Sequence, residues 1–263
     1  MKRRGFLYCL AALAVLICAY LALWIYSVRW FEAEIDRVYA NANEDSFRFV
    51  GPKPALGNFP FVPEVYYTGG FQAGNAIIAF HEMKLRGYPI PGLTLHATFP
   101  SGIALDGLAD PKVWNLDELN IDLAIPFSWP RSFTYEDLTR WRDSGGNVTV
   151  RSYSIVKGLM LASGDGKLAL DEALQPVFAL NTQLRGYESF IQEQAQAGAI
   201  PPFAAAIATA MFNGMAQTDE QTGEKSVNVS VSVRNRMLQV GSMQILVLPE
   251  IAWGTHTPPG LRQ

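Results

Sequence analysis

Cysteine is almost missing from this chain. The only two, Cys9 and Cys18, sit inside one apolar run near the start, and none follows. A body without cysteine has no disulfide framework, no thiol nucleophile and no thiolate metal site, so packing must hold it together. Histidine is scarce too, with His81, His96 and His256 far apart. A helical zinc site needs two histidines one turn apart, and Leu85 stands where the partner of His81 would be. His81 and His96 could approach across paired strands, but no acidic cluster beside them supports a metal there. Two signatures are absent: the Gly-x-Ser-x-Gly elbow of serine hydrolases and the Gly-x-x-x-x-Gly-Lys loop that cradles phosphates. Gly164-Asp165-Gly166-Lys167 resembles a dinucleotide fingerprint, yet it falls between two strand-like segments and reads as a hairpin turn. Basic charge is also short. Of 21 basic residues, Lys2, Arg3 and Arg4 precede the apolar run, leaving 18 against 24 acidic ones from Arg29 onward. That balance excludes nucleic acid as the main partner, because phosphate binding needs a basic footprint.

What the chain does have begins with Phe6 to Val28, 23 residues without a charge. As a helix this run is about 35 Å long, enough to cross a hydrocarbon core of roughly 30 Å. Trp24, Tyr26 and Trp30 cluster at its far end, where amphipathic rings favour the membrane interface. Lys2, Arg3 and Arg4 set the topology, with the N-terminus cytoplasmic and the body exported. A cleaved signal peptide would need a small-x-small site just past the run, and Ala40-Asn41-Ala42 lies too far on. A lipoprotein would need a small residue before its cysteine, and Ile17 precedes Cys18. An uncleaved single-pass anchor is therefore expected over residues 1–28, followed by a membrane-proximal helix and connector over 29–50 and one exported β-rich domain over 51–263.

Phe31, Ile35 and Val38 recur at helical spacing, so the anchor helix should continue outward. Four prolines and two glycines between Gly51 and Pro63 then break it. Beyond them, period-two alternation dominates. Strands are predicted over Asn75–Arg86 (with Ile77, Ala79, His81 and Met83 on one face), Leu93–Phe99, around Ile103 and Leu105, and over Leu119–Ile125. Further strands follow at Val148–Tyr153, Leu159–Ala162, Lys167–Leu170, Val177–Leu184 and Ser226–Val233, with returning strands around Leu238–Val240 and Ile245–Leu248. Short helices are predicted after Thr134, which stands in capping relation to Asp137, and over Glu188–Ala197. A third opens at Pro201-Pro202, and its uncharged run FAAAIATAMFNGMAQ reads as a buried helix or as the wall of an apolar pocket. The pocket candidates are Phe203, Ile207, Met211, Phe212 and Met215. The fold class expected is α+β: an N-terminal transmembrane helix, then a large, mostly antiparallel curved sheet, open or half-barrel, with a few helices on one face.

Tyr187-Glu188-Ser189-Phe190-Ile191 leads to Gly198-Ala199-Ile200-Pro201-Pro202, the apolar helix, an alternating strand and Leu248-Pro249-Glu250-Ile251-Ala252-Trp253. With Gly57-Asn58-Phe59-Pro60-Phe61 and the N-terminal anchor, this order resembles an uncharacterised alphaproteobacterial envelope family, the domain of unknown function 2125. The resemblance implies a protein anchored in the inner membrane with a periplasmic body, and it implies no activity.

Three functions compete. One is non-enzymatic handling of a lipid or other apolar ligand in envelope maintenance, on a curved sheet whose inner face is incompletely covered. Another is a docking module for an envelope protein, using a sheet edge or the aromatics Phe59, Phe61, Tyr66, Tyr67 and Phe71. The third is a hydrolase working through carboxylates such as Asp117, Glu118 and Asp122, or Glu136 and Asp137. No catalytic residue, metal or cofactor is assigned. The partners expected are the inner-membrane bilayer, an apolar lipid and an envelope protein.

Overall fold

The structure, a computed structural model, describes residues 2–40, 47–73, 76–106, 115–126, 128, 130, 134–198, 200–218, 223–248, 250 and 251. It opens with α1 (Lys2–Ala40), which runs well past the apolar stretch. Phe31 and Ile35 are buried against Val65, with Trp30, Leu56, Leu85 and Leu95 around them. The helix continues outward, as its spacing predicts, and its outer end is docked on the body. The side chain of Val38 lies outside the described residues.

One sheet of fourteen strands follows. They are β1 (Phe47–Val50), β2 (Ala55–Gly57), β3 (Glu64–Ala73), β4 (Ala76–Arg86), β5 (Thr94–Phe99), β6 (Ala104–Asp106), β7 (Glu118–Ala124), β8 (Val148–Lys157), β9 (Met160–Leu170), β10 (Pro176–Arg185), β11 (Gln217–Thr218), β12 (Lys225–Arg234), β13 (Met237–Val240) and β14 (Met243–Val247). The main path runs β1-β3-β4-β5-β7-β8-β9-β10-β12-β13-β14, with β2, β6 and β11 paired beside it. Neighbours pair antiparallel, and the path ends at β1 and β14, so the sheet is open among the described residues. This is the α+β architecture expected. The boundary at residue 50 is corrected: Phe47–Val50 belongs to the sheet, paired with β3.

Register explains why the alternation is so regular. Val65, Leu85, Ala97, Ile121, Tyr153, Gly164, Thr182 and Val229 stand opposite one another in turn from β3 to β12. Beside them run Phe99, Leu119, Ile155, Ala162, Leu184 and Val227. On the other face the matching row is Thr98, Asn120, Ser154, Ser163, Gln183 and Asn228. One face is apolar and one is polar, and a slip of one residue would exchange them.

Two strand expectations need correction. In β4 the core side chains are Ile78 and Phe80, then Met83 and Leu85. Between Phe80 and Met83 the register with β3 shifts, so the extra residue moves the alternation to the other phase. Simple alternation through Ile77, Ala79, His81 and Met83 misses this bulge. The second correction concerns Gly164-Asp165-Gly166, which lies inside the continuous strand β9 and forms no turn. A Cβ at Gly164 would lie 1.8 Å from the Asn181 carbonyl oxygen, and one at Gly166 would lie 2.3 Å from that of Ala179. The glycines are there for close strand approach. Tyr153 and Thr182 both stand opposite Gly164, and their hydroxyls hydrogen-bond, so the tyrosine ring crosses the bare glycine.

Three short helices complete the chain. In α2 (Tyr135–Asp143) the Asp137 amide donates to Thr134 Oγ1 at 3.4 Å, while Leu138 and Trp141 are buried. Both α3 (Tyr187–Gln196) and α4 (Pro202–Met215) enter and leave at the Arg185/Ser226 end of the sheet. There Tyr187, Ile191, Ala205 and Phe212 form one core with Val227 and Val229. A separate aromatic core at the other side joins Tyr67, Phe80 and Phe99 to Phe71.

Candidate functional site

The apolar face carries a packed core on each flank; between them Val150, Tyr153, Ala162 and Thr182 are buried and their apolar neighbours are half-buried. On one flank the aromatic core of β3, β4 and β5 fills the space, and on the other α3 and α4 lie over β9 and β12. Leu119 and Ile121 are half-buried against the aromatic core, and Leu123, Ile155 and Leu180 beside them are half-buried too. The row Leu95, Leu123, Val150, Gly166, Leu180 and Val231 crosses this region. Tyr153 crosses Gly164 and Leu180 lies against Gly166, and bulges in β7–β8 and β8–β9 bend the strands beside them. The strip is a continuous apolar track whose one central polar pair, Tyr153 and Thr182, bonds to itself. Burial pushes the Tyr153 hydroxyl's pKa up, against the Thr182 bond and with the help of Asp165.

The five pocket candidates on α4 do not share one environment. Phe212 is buried, edge-on to Tyr187. Phe203 is 79% exposed, and Ile207, Met211 and Met215 are exposed along the same side. The reading of α4 as a buried helix is therefore corrected, because only its Ala205/Phe212 side faces the core. The helix hides the groups that reach the sheet, and the spacing 203, 207, 211 and 215 keeps the others together on the outer face.

The interfacial aromatics divide as well. Trp24 packs edge-on to Phe59 at 4.9 Å, Trp30 packs edge-on to Phe31, and Tyr26 is exposed. Tyr20 donates to the Pro60 carbonyl oxygen and hydrogen-bonds Tyr88. Lys2, Arg3 and Arg4 lie in the first turn of α1, and their side chains are outside the described residues. Among the proposed docking aromatics, Tyr67 is buried and Phe71 packs beside it, Tyr66 is partly exposed, and Phe59 and Phe61 are exposed.

On the polar face, His96 and Asp122 meet at 2.6 Å between β5 and β7. Thr98 Oγ1 lies 3.0 Å from the other ring nitrogen, and Ser152 donates to the second Asp122 oxygen at 2.6 Å. Burial raises the Asp122 carboxyl pKa, but hydrogen bonds from Ser152 and His96 and the charge of His96 outweigh it, leaving it below the usual range. This cluster ties β5, β7 and β8 together. The sequence points to it only through adjacent alternation, since β7 pairs with β8 across the excursion at residues 125–147. Opposite His96 in β4 stands Arg86, so His81 and His96 are not neighbours. His256 is outside the described residues. The other carboxylates serve separate places: Asp117 accepts from the Gly158 amide, Glu118 from Asn120, and Asp137 pairs with Arg140. Glu136 stands beside Asp137 in the first turn of α2.

A family model described as an uncharacterized protein conserved in bacteria, DUF2125, matches residues 72–249. The chain belongs to this family. The match covers the sheet from the end of β3 and all of α2, α3 and α4; α1 and Gly57–Phe61 precede it. No curated protein and no solved structure matches the chain. Within this DUF2125 protein, α1 holds one stretch, Val15–Arg37, with mean hydropathy 1.4 and the length to cross a membrane. That stretch suits a signal anchor and a signal sequence alike.

Proposed function

We propose that this protein is a single-pass inner-membrane protein whose periplasmic sheet handles an acyl-chain ligand along its apolar track. The observation that carries the reading is the run of half-buried apolar side chains Leu119, Ile121, Leu123, Ile155 and Leu180, which extends from the aromatic core, where Leu119 and Ile121 pack, toward the core under α3 and α4. Each buried methylene contributes about 0.8 kcal/mol, so a modest length of chain seated there supplies useful affinity. The track holds no charge, which suits a hydrocarbon and leaves the headgroup outside. No reaction is part of this reading.

The test is native mass spectrometry with lipid extraction on full-length protein in polymer nanodiscs, comparing the wild type with Ile121→Glu. The wild type should retain lipid after detergent exchange and the variant should lose it. Equal lipid content in the two would overturn the reading. The exposed side of α4 favours a second role, docking of an envelope protein on Phe203, Ile207, Met211 and Met215. Crosslinking from α4 in intact cells tests it, and an absence of reproducible adducts would count against it.

A further inference from the structure

We propose that the turn Asn58–Val62 and the neighbouring turn Tyr88–Leu93 are seated in the bilayer leaflet beside α1, so that the sheet rises directly out of the lipid. This rests on the reading of α1 as a membrane span. Contacts along the helix fix the level of each part of the body. Phe31 and Ile35 meet Val65 and Leu56 of β3 and β2. Further down the helix, Trp24 meets Phe59, and Tyr20 meets both Pro60 and Tyr88. If these turns stayed outside the hydrocarbon, the span would have to end before Tyr20. The 14 uncharged residues from Phe6 to Ala19 would reach only about 21 Å of the roughly 30 Å required. Taking the span to Val28 closes the gap and puts Tyr20 about 12 Å below its outer end.

The chemistry of the turns fits that position. Residues 57–63 and 87–93 contain no charge. Phe59 and Phe61 point outward, exposed by 57% and 64%, and Leu93 is also exposed. An apolar layer demands that backbone polar groups be paired within the protein. Here the Phe61 amide donates to Asn58, the Val62 carbonyl accepts from the Asn58 side chain at 3.2 Å, and Tyr20 caps the Pro60 carbonyl. In the second turn, Ile90, Leu93 and Gly92 donate to Tyr88, Ile90 and Ile125. Arg151 caps the Gly92 carbonyl at 2.6 Å. Pro60, Pro63, Pro89 and Pro91 have no N–H to satisfy. The charged helix α2 lies at the same end, beyond β7, and marks where the footprint meets water.

Spin-label depth measurement on the full chain in vesicles of phosphatidylethanolamine and phosphatidylglycerol tests this. Three single-cysteine proteins are compared: native Cys18 with Cys9→Ala, and Phe61→Cys and Leu159→Cys, each with both native cysteines replaced. Leu159 is 80% exposed at the opposite end of the sheet. The ratio of oxygen to nickel-chelate accessibility at residue 61 should rise toward that at Cys18 and exceed that at residue 159. A water-like ratio at 61 with a bilayer ratio at 18 overturns the proposal while the span stands. Water-like ratios at both positions overturn the span reading as well.

Discussion

At the end of the sheet where α1 enters, the exposed apolar groups include Phe59, Phe61 and Leu93, held on turns beside the helix. At the other end they include Leu159 and, on α4, Phe203, Ile207, Met211 and Met215; α4 packs only its inner side on β12. The two flanks also build their cores differently. On β3 to β5, four rings (Tyr67, Phe71, Phe80 and Phe99) pack edge-on or tilted, with centroids 5.1–5.8 Å apart. On the other flank, valines of β12 pack under a helical pair. Exposed apolar surface in a monomer calls for an occupant, and its position decides which. The turns lie level with an apolar helix, whereas α4 sits a strand length away and calls for a ligand or protein.

The largest expected effect is at the seam between the halves. Gly164→Val would drive a side chain into the Asn181 carbonyl and into the path of Tyr153. It should cost about 3 kcal/mol or more in denaturant unfolding. Wild-type stability in this variant would mean that the seam does not join the halves. Next comes a contrast on α4. Phe212→Ala should cost about 3–5 kcal/mol, since it empties the space beside Tyr187. Phe203→Ala should stay within about 0.5 kcal/mol. Similar losses in both would show that the outer face of α4 is packed. Thr134→Ala removes the cap of α2 and should cost about 0.5–1 kcal/mol, at the low end for a bond of 3.4 Å.

The smallest effect is electrostatic. A carboxyl whose pKa is depressed in the folded state contributes stability above its unfolded value and loses it as pH falls through the folded one. Asp122 is such a group. Stability should therefore decline on acidification below about pH 4, and Asp122→Asn should flatten that part of the profile. An unchanged profile would mean that the His96–Ser152 cluster does not hold the middle strands.

Much of this architecture is legible in residue order. Alternation in Leu93–Phe99, Leu119–Ile125 and Ser226–Val233 marks β5, β7 and β12, because one face of each is apolar. Pro201-Pro202 and Thr134 mark where two helices start. Legibility fails where tertiary contact overrides local rules. Gly164-Asp165-Gly166 has turn chemistry, yet a crossing tyrosine from β8 and a close carbonyl from β10 require bare backbone there. The bulge in β4 leaves no mark in a period-two pattern. β1 and β2 are too short to alternate visibly. On α4, an apolar run without charge hides which side meets the sheet, so the outward stripe cannot be told from the inner one. The half-burial of Leu123, Ile155 and Leu180 depends on how the helices and neighbouring strands pack, a property that no single segment carries.

The most direct test of the central claim is photocrosslinking with a diazirine-bearing phospholipid in vesicles containing the full chain, with adducts mapped by peptide. Adducts are predicted on the β7, β8 and β10 peptides bearing Ile121, Ile155 and Leu180, and they should disappear in Ile121→Glu. Adducts confined to α1 and the turns at residues 58–62 and 88–93 would contradict the claim, leaving a membrane footprint without a ligand track.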